Sequence, residues 1–461
     1  MKYLSAKKTG STPIHLVEKK SFGRFIGRQS PLLRNWAAAN AFEGQAGKRL
    51  LVPTRSGKLD AVVIGARGND PWDFAPLPAA LPAGDYHLAG RLSPGLGENA
   101  ALGWALGTYR FTKYKKDERR YATLGWPRGV DREKVARLFT GICLTRDLIT
   151  TPANDMGPEE LAAAALTLAE THGAEVTMTV GDDLLTEKLP AIHAVGRASD
   201  RAPRLIDLRW GDPKKPKLTL VGKGVCFDTG GLDLKGAANM KMMKKDMGGA
   251  ALVLGLAHAI MDSGLPVRLR VLVPAVENSV GGNAFRPLDV IDSRKGKTIE
   301  VGNTDAEGRL VLSDALTLAD EERPDLIIDA ATLTGAARVA LGTTLPALFS
   351  TDDKVAEDIL SSGVTVGDPL WRMPLHEPYR RYLDSPVADL NNIASVSYGG
   401  AITAALFLRE FVSKKRSWVH IDTMGYNTGS AAGRPAGGEA MGLRALYAML
   451  EKRYRRRRRR S

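Results

Sequence analysis

From about residue 215 onward, apolar positions follow two alternating periods. Leu218-Thr219-Leu220-Val221 is a short continuous apolar run and predicts a buried strand. Residues 250–260 are apolar on every face and predict a buried helix. Residues 267–273 alternate with period two, as a strand does. Leu312, Ala315, Leu316 and Ala319 mark one face of another helix, and Leu326-Ile327-Ile328 predicts a further buried strand. Strand–helix alternation of this kind predicts an α/β domain with a largely parallel sheet. Sites in such sheets gather at the carboxyl ends of strands.

The first 140 residues are patterned differently. Ala61-Val62-Val63-Ile64 before Gly65 reads as a strand entering a loop, and Pro76, Pro78, Pro82 and Gly84 punctuate a connection. From Asp131 the spacing of Val135, Leu138, Phe139 and Ile142 predicts a helix. Thr150-Thr151-Pro152 ends it, and Pro158-Glu159-Glu160 opens the next with proline and acids in its first turn. These breaks predict a smaller N-terminal α/β domain over 1–140, a linker helix and connection over 141–157, and a larger C-terminal α/β domain over 158–450. A basic, unstructured tail is expected over 451–461.

The chain has 461 residues, 44% hydrophobic and 25% charged, which is globular composition. No apolar run is long enough to span a membrane. The N-terminus, with Lys2, Lys7 and Lys8, is basic without the apolar stretch of a secretory signal. The two cysteines, Cys143 and Cys226, form no motif, so a reducing cytoplasm is expected. Eight of the charges behind the net +14 lie in the tail, as Lys452, Arg453 and Arg455 to Arg460. The remaining +6 is moderate, so the body does not read as a nucleic-acid-binding domain. The tail is either a solvated end or a polyanion-binding appendage.

Two clusters carry chemistry. The first is Val221 to Lys235, V-G-K-G-V-C-F-D-T-G-G-L-D-L-K, where Lys223 and Asp228 head into a core and need partners or a metal. Its glycines at 222, 224, 230 and 231 allow close backbone approach to a ligand but do not form a phosphate loop. Asp246, in M-M-K-K-D-M-G-G-A, opens an apolar helix and reads either as an N-cap or as a metal ligand. The second cluster is Asn303-Thr304-Asp305-Ala306-Glu307-Gly308-Arg309-Leu310, where an extended segment turns into a helix. Two carboxylates two apart point the same way in an extended segment, which suits hard or borderline cations. Arg309 is always charged and holds anions rather than metals. The chain has no H-E-x-x-H, paired C-x-x-C or G-x-S-x-G, and its seven histidines show no ligand spacing.

N-T-D-A-E-G-R-L resembles the signature of the leucyl (cytosol) aminopeptidases, the M17 metallopeptidases, and the last segment, Gly425-Tyr426-Asn427 through Arg434 to Met441, looks like a bacterial subgroup of them. The segments 221–235, 243–251, 329–336, 399–411 and 146–156 match the family as well, so the likeness is nearly continuous from about 146 to 445. The resemblance implies a mixed, largely parallel central sheet flanked by helices. It also implies two divalent metals, zinc or manganese. Lys223, Asp228, Asp246 and Glu307 would hold the tighter one; Asp228, Asp305 and Glu307 the looser. Lys235 would be the catalytic lysine, and Arg309 would hold a bicarbonate. Met243, Asn303, Thr332 and Gly335 would line the substrate pocket, although Met243 and Met247 read equally as core. A metal-ligating Lys223 must be neutral and so needs a lowered pKa. The extra acid Asp233 either pairs with Lys235 or points away. The implied activity is release of N-terminal, leucine-like residues from peptides by a cytoplasmic homo-hexamer of two trimers that serves peptide catabolism and protein turnover. The alternative is nucleic-acid binding through the arginine tail. An inactive enzyme is disfavoured, because every expected ligand position holds a suitable residue.

Overall fold

The computed structural model describes residues 1–6, 9–68, 70–90 and 92–457. Lys7 and Lys8 of the basic N-terminus and residues 458–461 of the arginine tail lie outside the described residues. The chain divides into two compact units. One comprises Met1–Phe139 with residues 365–367 and 429–436; the other holds the remainder.

The first unit is built on a six-stranded sheet of β1 (Leu4–Ser5), β2 (Thr12–Val17), β3 (Arg49–Pro53), β4 (Leu59–Gly65), β5 (Asp85–Leu88) and β6 (Thr123–Gly125). Their order is β1-β6-β5-β2-β4-β3. Every pair is parallel except β3 with β4. Val17, Leu33, Leu50, Val52 and Val63 form a core on one side of it. The run Ala61 to Ile64 lies wholly buried in β4, as its composition predicts.

The second unit carries a nine-stranded mixed sheet. Its strands are β7 (Glu175–Val180), β8 (Arg204–Trp210), β9 (Lys217–Gly222), β10 (Gly224–Asp228) and β11 (Arg268–Asn278). A small separate sheet follows, made of β12 (Val290–Asp292), β13 (Thr298–Glu300) and, later in the chain, β17 (Leu390–Asn391). The main sheet continues with β14 (Leu326–Ala331), β15 (Ala347–Ser350), β16 (Trp371–Arg372) and β18 (Trp418–Asp422). The four central strands, β18-β14-β9-β11, are parallel. Antiparallel partners enter only toward the edges, at β15 against β18, β8 against β11 and β7 against β8. Strand order reverses between β9 and β14, which is where an open α/β sheet leaves a crevice for a ligand.

Three features of this sheet place the site. β9 and β10 are one strand interrupted at Lys223 alone, and both pair with β11. The helix Gly248–Asp262 is buried along almost its whole length and packs on the sheet at its first turn. There Gly249 approaches so closely that a Cβ would lie 2.0 Å from the Ala330 carbonyl oxygen. The helix Glu307–Glu321 buries Leu310, Leu312, Ala315, Leu316 and Ala319 in the main core with Val221, Leu272 and Ile327.

Two expectations change here. Residues 451–457, expected as an unstructured tail, continue the helix Leu443–Arg457. Tyr454 is buried, and Lys452 and Arg455 reach Asp358 and Glu451, so local contacts outweigh like-charge repulsion in this stretch. The glycines of the first cluster also serve another purpose. A Cβ at Gly222 would strike Val253 and Ala250 of the packed helix, and one at Gly224 the carbonyl of Pro274. Gly222 and Gly224 therefore admit the protein's own backbone rather than a ligand. Among the described residues no helix is long and apolar enough to cross a membrane.

Candidate active site and metal centre

Lys223 occupies the break between β9 and β10. Its N–H donates to Ala330 (3.0 Å) and its carbonyl accepts from Ala250 (2.9 Å), which pins the backbone between β14 and the helix Gly248–Asp262. The ammonium lies 2.6 Å from Asp246 Oδ2 and 2.7 Å from Glu307 Oε1. Asp228 ends β10. Its Oδ1 accepts from the Gly230 N–H (2.8 Å) and from Asn278 Nδ2 (2.9 Å), and its Oδ2 faces Lys235 Nζ at 2.9 Å. Gly230 and Gly231 turn the chain back with φ of +91° and +66°, a left-handed path that favours glycine.

Asp246 does not cap the apolar helix. It terminates the short helical turn Met243–Lys245, and the N-cap of the next helix is Met247, without a side-chain hydrogen bond. The Asp246 carboxylate instead accepts the Thr332 hydroxyl (2.8 Å) and pairs with Lys223.

Asp305 and Glu307 converge for a reason other than strand alternation. Residues 303–306 form a turn in which the Asp305 N–H donates to Asn303 Oδ1 (2.6 Å), and Glu307 begins a helix. Thr304 anchors the turn. Its hydroxyl donates to the Gly230 carbonyl (2.6 Å), and its N–H donates to Asp233 (2.8 Å). Asp233 therefore braces the turn and does not pair with Lys235. Lys235 spans Asp228 and Asp305.

These groups line one cavity of about 400 Å³. Lys223, Asp228, Lys235, Met243, Asp246, Asp305, Glu307, Arg309, Thr332 and Gly335 all border it. Asn303 does not; its side chain is spent on the Asp305 backbone. Met247 is fully buried and also stays outside the lining. Sequence reasoning did not single out Asn239, Met242, Thr334 or Arg338, which border the same cavity, and assigned no site role to Lys245 beside them. Nor did it find two supports behind the lining. Asn278, wholly buried, ties Asp228 to the Thr304 carbonyl (3.1 Å). Asp422 accepts the N–H groups of Leu333 and Thr334 and the Thr334 hydroxyl (2.6 Å). Each ends a strand, β11 and β18, with no local pattern to mark it.

The electrostatics are those of crowded buried carboxylates. Burial, with Asp228 and Asp246 nearby, pushes the Glu307 carboxyl up to about 8. Burial and the neighbouring acids also raise Asp228. Burial opposes charge on Lys223, but Asp246, Glu307 and Asp228 outweigh it and hold the ammonium above its ordinary pKa. Lys235 shifts upward for the same reason. Burial lowers Lys245 to about 8 and Arg309 to about 10.

The residues suit divalent metals. Asp228, Asp305 and Glu307 each offer an oxygen, all within 4.8 Å of one another. Asp246 Oδ2, Asp305 Oδ1 and Glu307 Oε1 are buried without an aligned hydrogen bond, opposed only by lysine ammoniums. Buried carboxylate oxygens in that state are poised for cations.

The sequence matches the profile of the cytosol aminopeptidase family, catalytic domain, over residues 143–447. The chain belongs to the M17 cytosol aminopeptidase family. Residues 12–127 match the M17 aminopeptidase N-terminal domain. Peptidase B of Serratia proteamaculans (strain 568) is 46% identical over 315 residues, covering 66% of this chain and 73% of that protein. A probable cytosol aminopeptidase of Persephonella marina is 36% identical, covering 89% of each. The crystal structure of cytosol aminopeptidase from Coxiella burnetii superposes with a TM-score of 0.94 at 48% identity, covering 98% of this chain and all of that one. The bottromycin maturation enzyme BotP in complex with Mn gives 0.85 at 32% identity, covering 97% of this chain and all of BotP. This M17 chain is a metal-dependent aminopeptidase that acts on peptides and uses divalent metal, with the two-domain α/β architecture of its family. Neither the site nor the comparisons support the nucleic-acid alternative.

Proposed function

We propose that the chain releases N-terminal, leucine-like residues from peptides at a two-metal centre in this cavity. The observation that carries the reading is the convergence of Asp228, Asp305 and Glu307 with buried carboxylate oxygens opposed only by lysines. Lys223, Asp228, Asp246 and Glu307 would hold the tighter ion, and Asp228, Asp305 and Glu307 the looser, as zinc or manganese. Such ions supply Lewis acidity and acidify water at neutral pH.

The chain's own groups divide the remaining work. The Lys235 ammonium, held charged between Asp228 and Asp305, is placed to steady negative charge developing on a scissile carbonyl oxygen. Arg309 donates to the Asn392 carbonyl (2.5 Å), and its buried Nε has no hydrogen-bond partner. That leaves one guanidinium edge for a small anion such as bicarbonate, which would take up the proton from water. Thr332 orients Asp246, and Met243 and Gly335 shape the cavity wall for the substrate side chain. Asn303 acts by positioning Asp305. We place this activity in the cytoplasm, in a homo-hexamer.

The test is hydrolysis of a panel of aminoacyl anilides by metal-stripped protein, with zinc or manganese added back and Asp305→Ala alongside. Restored activity in the parent, its loss in the variant and inertness of N-acetylated substrates support the reading. A folded, assembled protein inactive with either metal refutes it.

A further inference from the structure

A second cavity, of about 220 Å³, opens on the catalytic unit and shares no lining residue with the first. Lys295, Lys297, Arg380, Arg409 and Lys414 line it, against only Glu377 and Glu410. The two acids are already committed. Glu410 takes Lys297 and Arg380 Nε (2.6 Å), and Glu377 takes Arg409. Arg380 also reaches Asp384 at 2.7 Å. Lys295 donates to the backbone carbonyl of Glu410 (2.7 Å) near the carboxylates of Asp320 and Glu410, and Lys414 is exposed with no partner among the described residues. Ser413 is turned to Asp320.

We propose that this cavity binds a small oxyanion of the phosphate class. An ordinary solvated patch spreads its charges apart. Here five cations converge on one concavity whose remaining lining includes Leu406 and Val412, so charge is concentrated beside apolar surface. Burial and the neighbouring Lys297 lower the Lys295 ammonium, the penalty that a bound anion would relieve. The acids fix the arginines and Lys297 in place and the Glu410 carbonyl holds Lys295, which leaves Lys414 and the remaining N–H groups of the Lys295 ammonium as donors to a ligand.

The experiment is calorimetric titration of the metal-loaded full chain with inorganic phosphate at low salt. The parent is compared with Lys295→Ala/Lys414→Ala, with Lys414→Glu and with Arg309→Ala, the last to mark binding in the catalytic cavity. Saturable binding below about 1 mM is expected. It should weaken about tenfold or more in the double variant and in Lys414→Glu, survive Arg309→Ala, and fade as salt rises. Lys414 is exposed, and Lys295 reaches solvent although its ammonium is partly screened, so nearly unchanged thermal melts should accompany the loss. Phosphate binding untouched by both lysine variants, or no saturable binding in the parent, overturns the proposal.

Discussion

Asn278 provides the sharpest test of how the proposed metal ligands are held. Its Nδ2 donates to Asp228 Oδ1 (2.9 Å) and to the Thr304 carbonyl (3.1 Å), so one side chain locks the end of β10 to the turn that carries Asp305. Asn278→Ala removes one hydrogen bond to a charged group and one to a neutral group, with both acceptors left buried. Together these cost roughly 2–4 kcal/mol. The same change loosens Asp228, and losing such a support typically weakens metal binding by roughly 10–100-fold. Asn278→Asp keeps the volume but sets a second carboxylate 2.9 Å from Asp228. At an effective dielectric constant near 20 that repulsion is roughly 6 kcal/mol before a proton is taken up. The Asp variant should therefore be worse than Ala at pH 8 and recover part of the difference at pH 5. Urea unfolding of chelator-treated protein measures the stability loss, and competition with a fluorescent zinc chelator measures the affinity. An Asn278→Ala protein within about 0.5 kcal/mol of the parent, with unchanged metal affinity, would refute the positioning role; surface changes commonly fall in that range.

Other outcomes follow from the same charges. Lys223→Met should destabilise the metal-free protein by about 3–5 kcal/mol, because the buried Asp246 carboxylate loses the counter-charge at 2.6 Å and Glu307 loses its ammonium partner; thermal melts in chelator check this. Glu307 has a raised folded pKa, about 8. Its contribution to metal-free stability is therefore complete below about pH 4.5 and lost as pH rises through 8. Metal binding must displace that proton, so affinity should climb between pH 6 and 8.5, read by metal titration at fixed ionic strength. Burial pushes the Cys143 thiol up to about 12 and Cys226 well above its ordinary value. Neither should react with a disulfide reagent at pH 8 until urea unfolds the chain, and rapid labelling of native protein would count against this packing.

What the amino-acid order determined by itself was the local part of this protein. Leu218 to Val221, residues 250–260 and Leu326 to Ile328 became strand, helix and strand because period and apolar content act over a few residues. Lys223, Asp228, Asp246, Asp305 and Glu307 were legible as candidate ligands through clustered charge and the resemblance of their segments to the M17 signature. Tertiary structure decided how they meet. Asp305 and Glu307 face one point through a turn tied to Asn303, Asp233 and Gly230, not through strand alternation. Asp246 serves Lys223 and Thr332, not the helix it precedes. Asn278, Lys245, Arg338 and Asp422 reach the site or its supports from separate elements, and nothing within a few residues of any of them signals that destination. The reason is physical. Backbone periodicity is set by near neighbours, whereas the pairing of a buried charge is set by whichever elements the sheet order brings together. The protonation of Lys223 and Glu307 belongs to that second class, because it depends on burial and on the sum of surrounding charges.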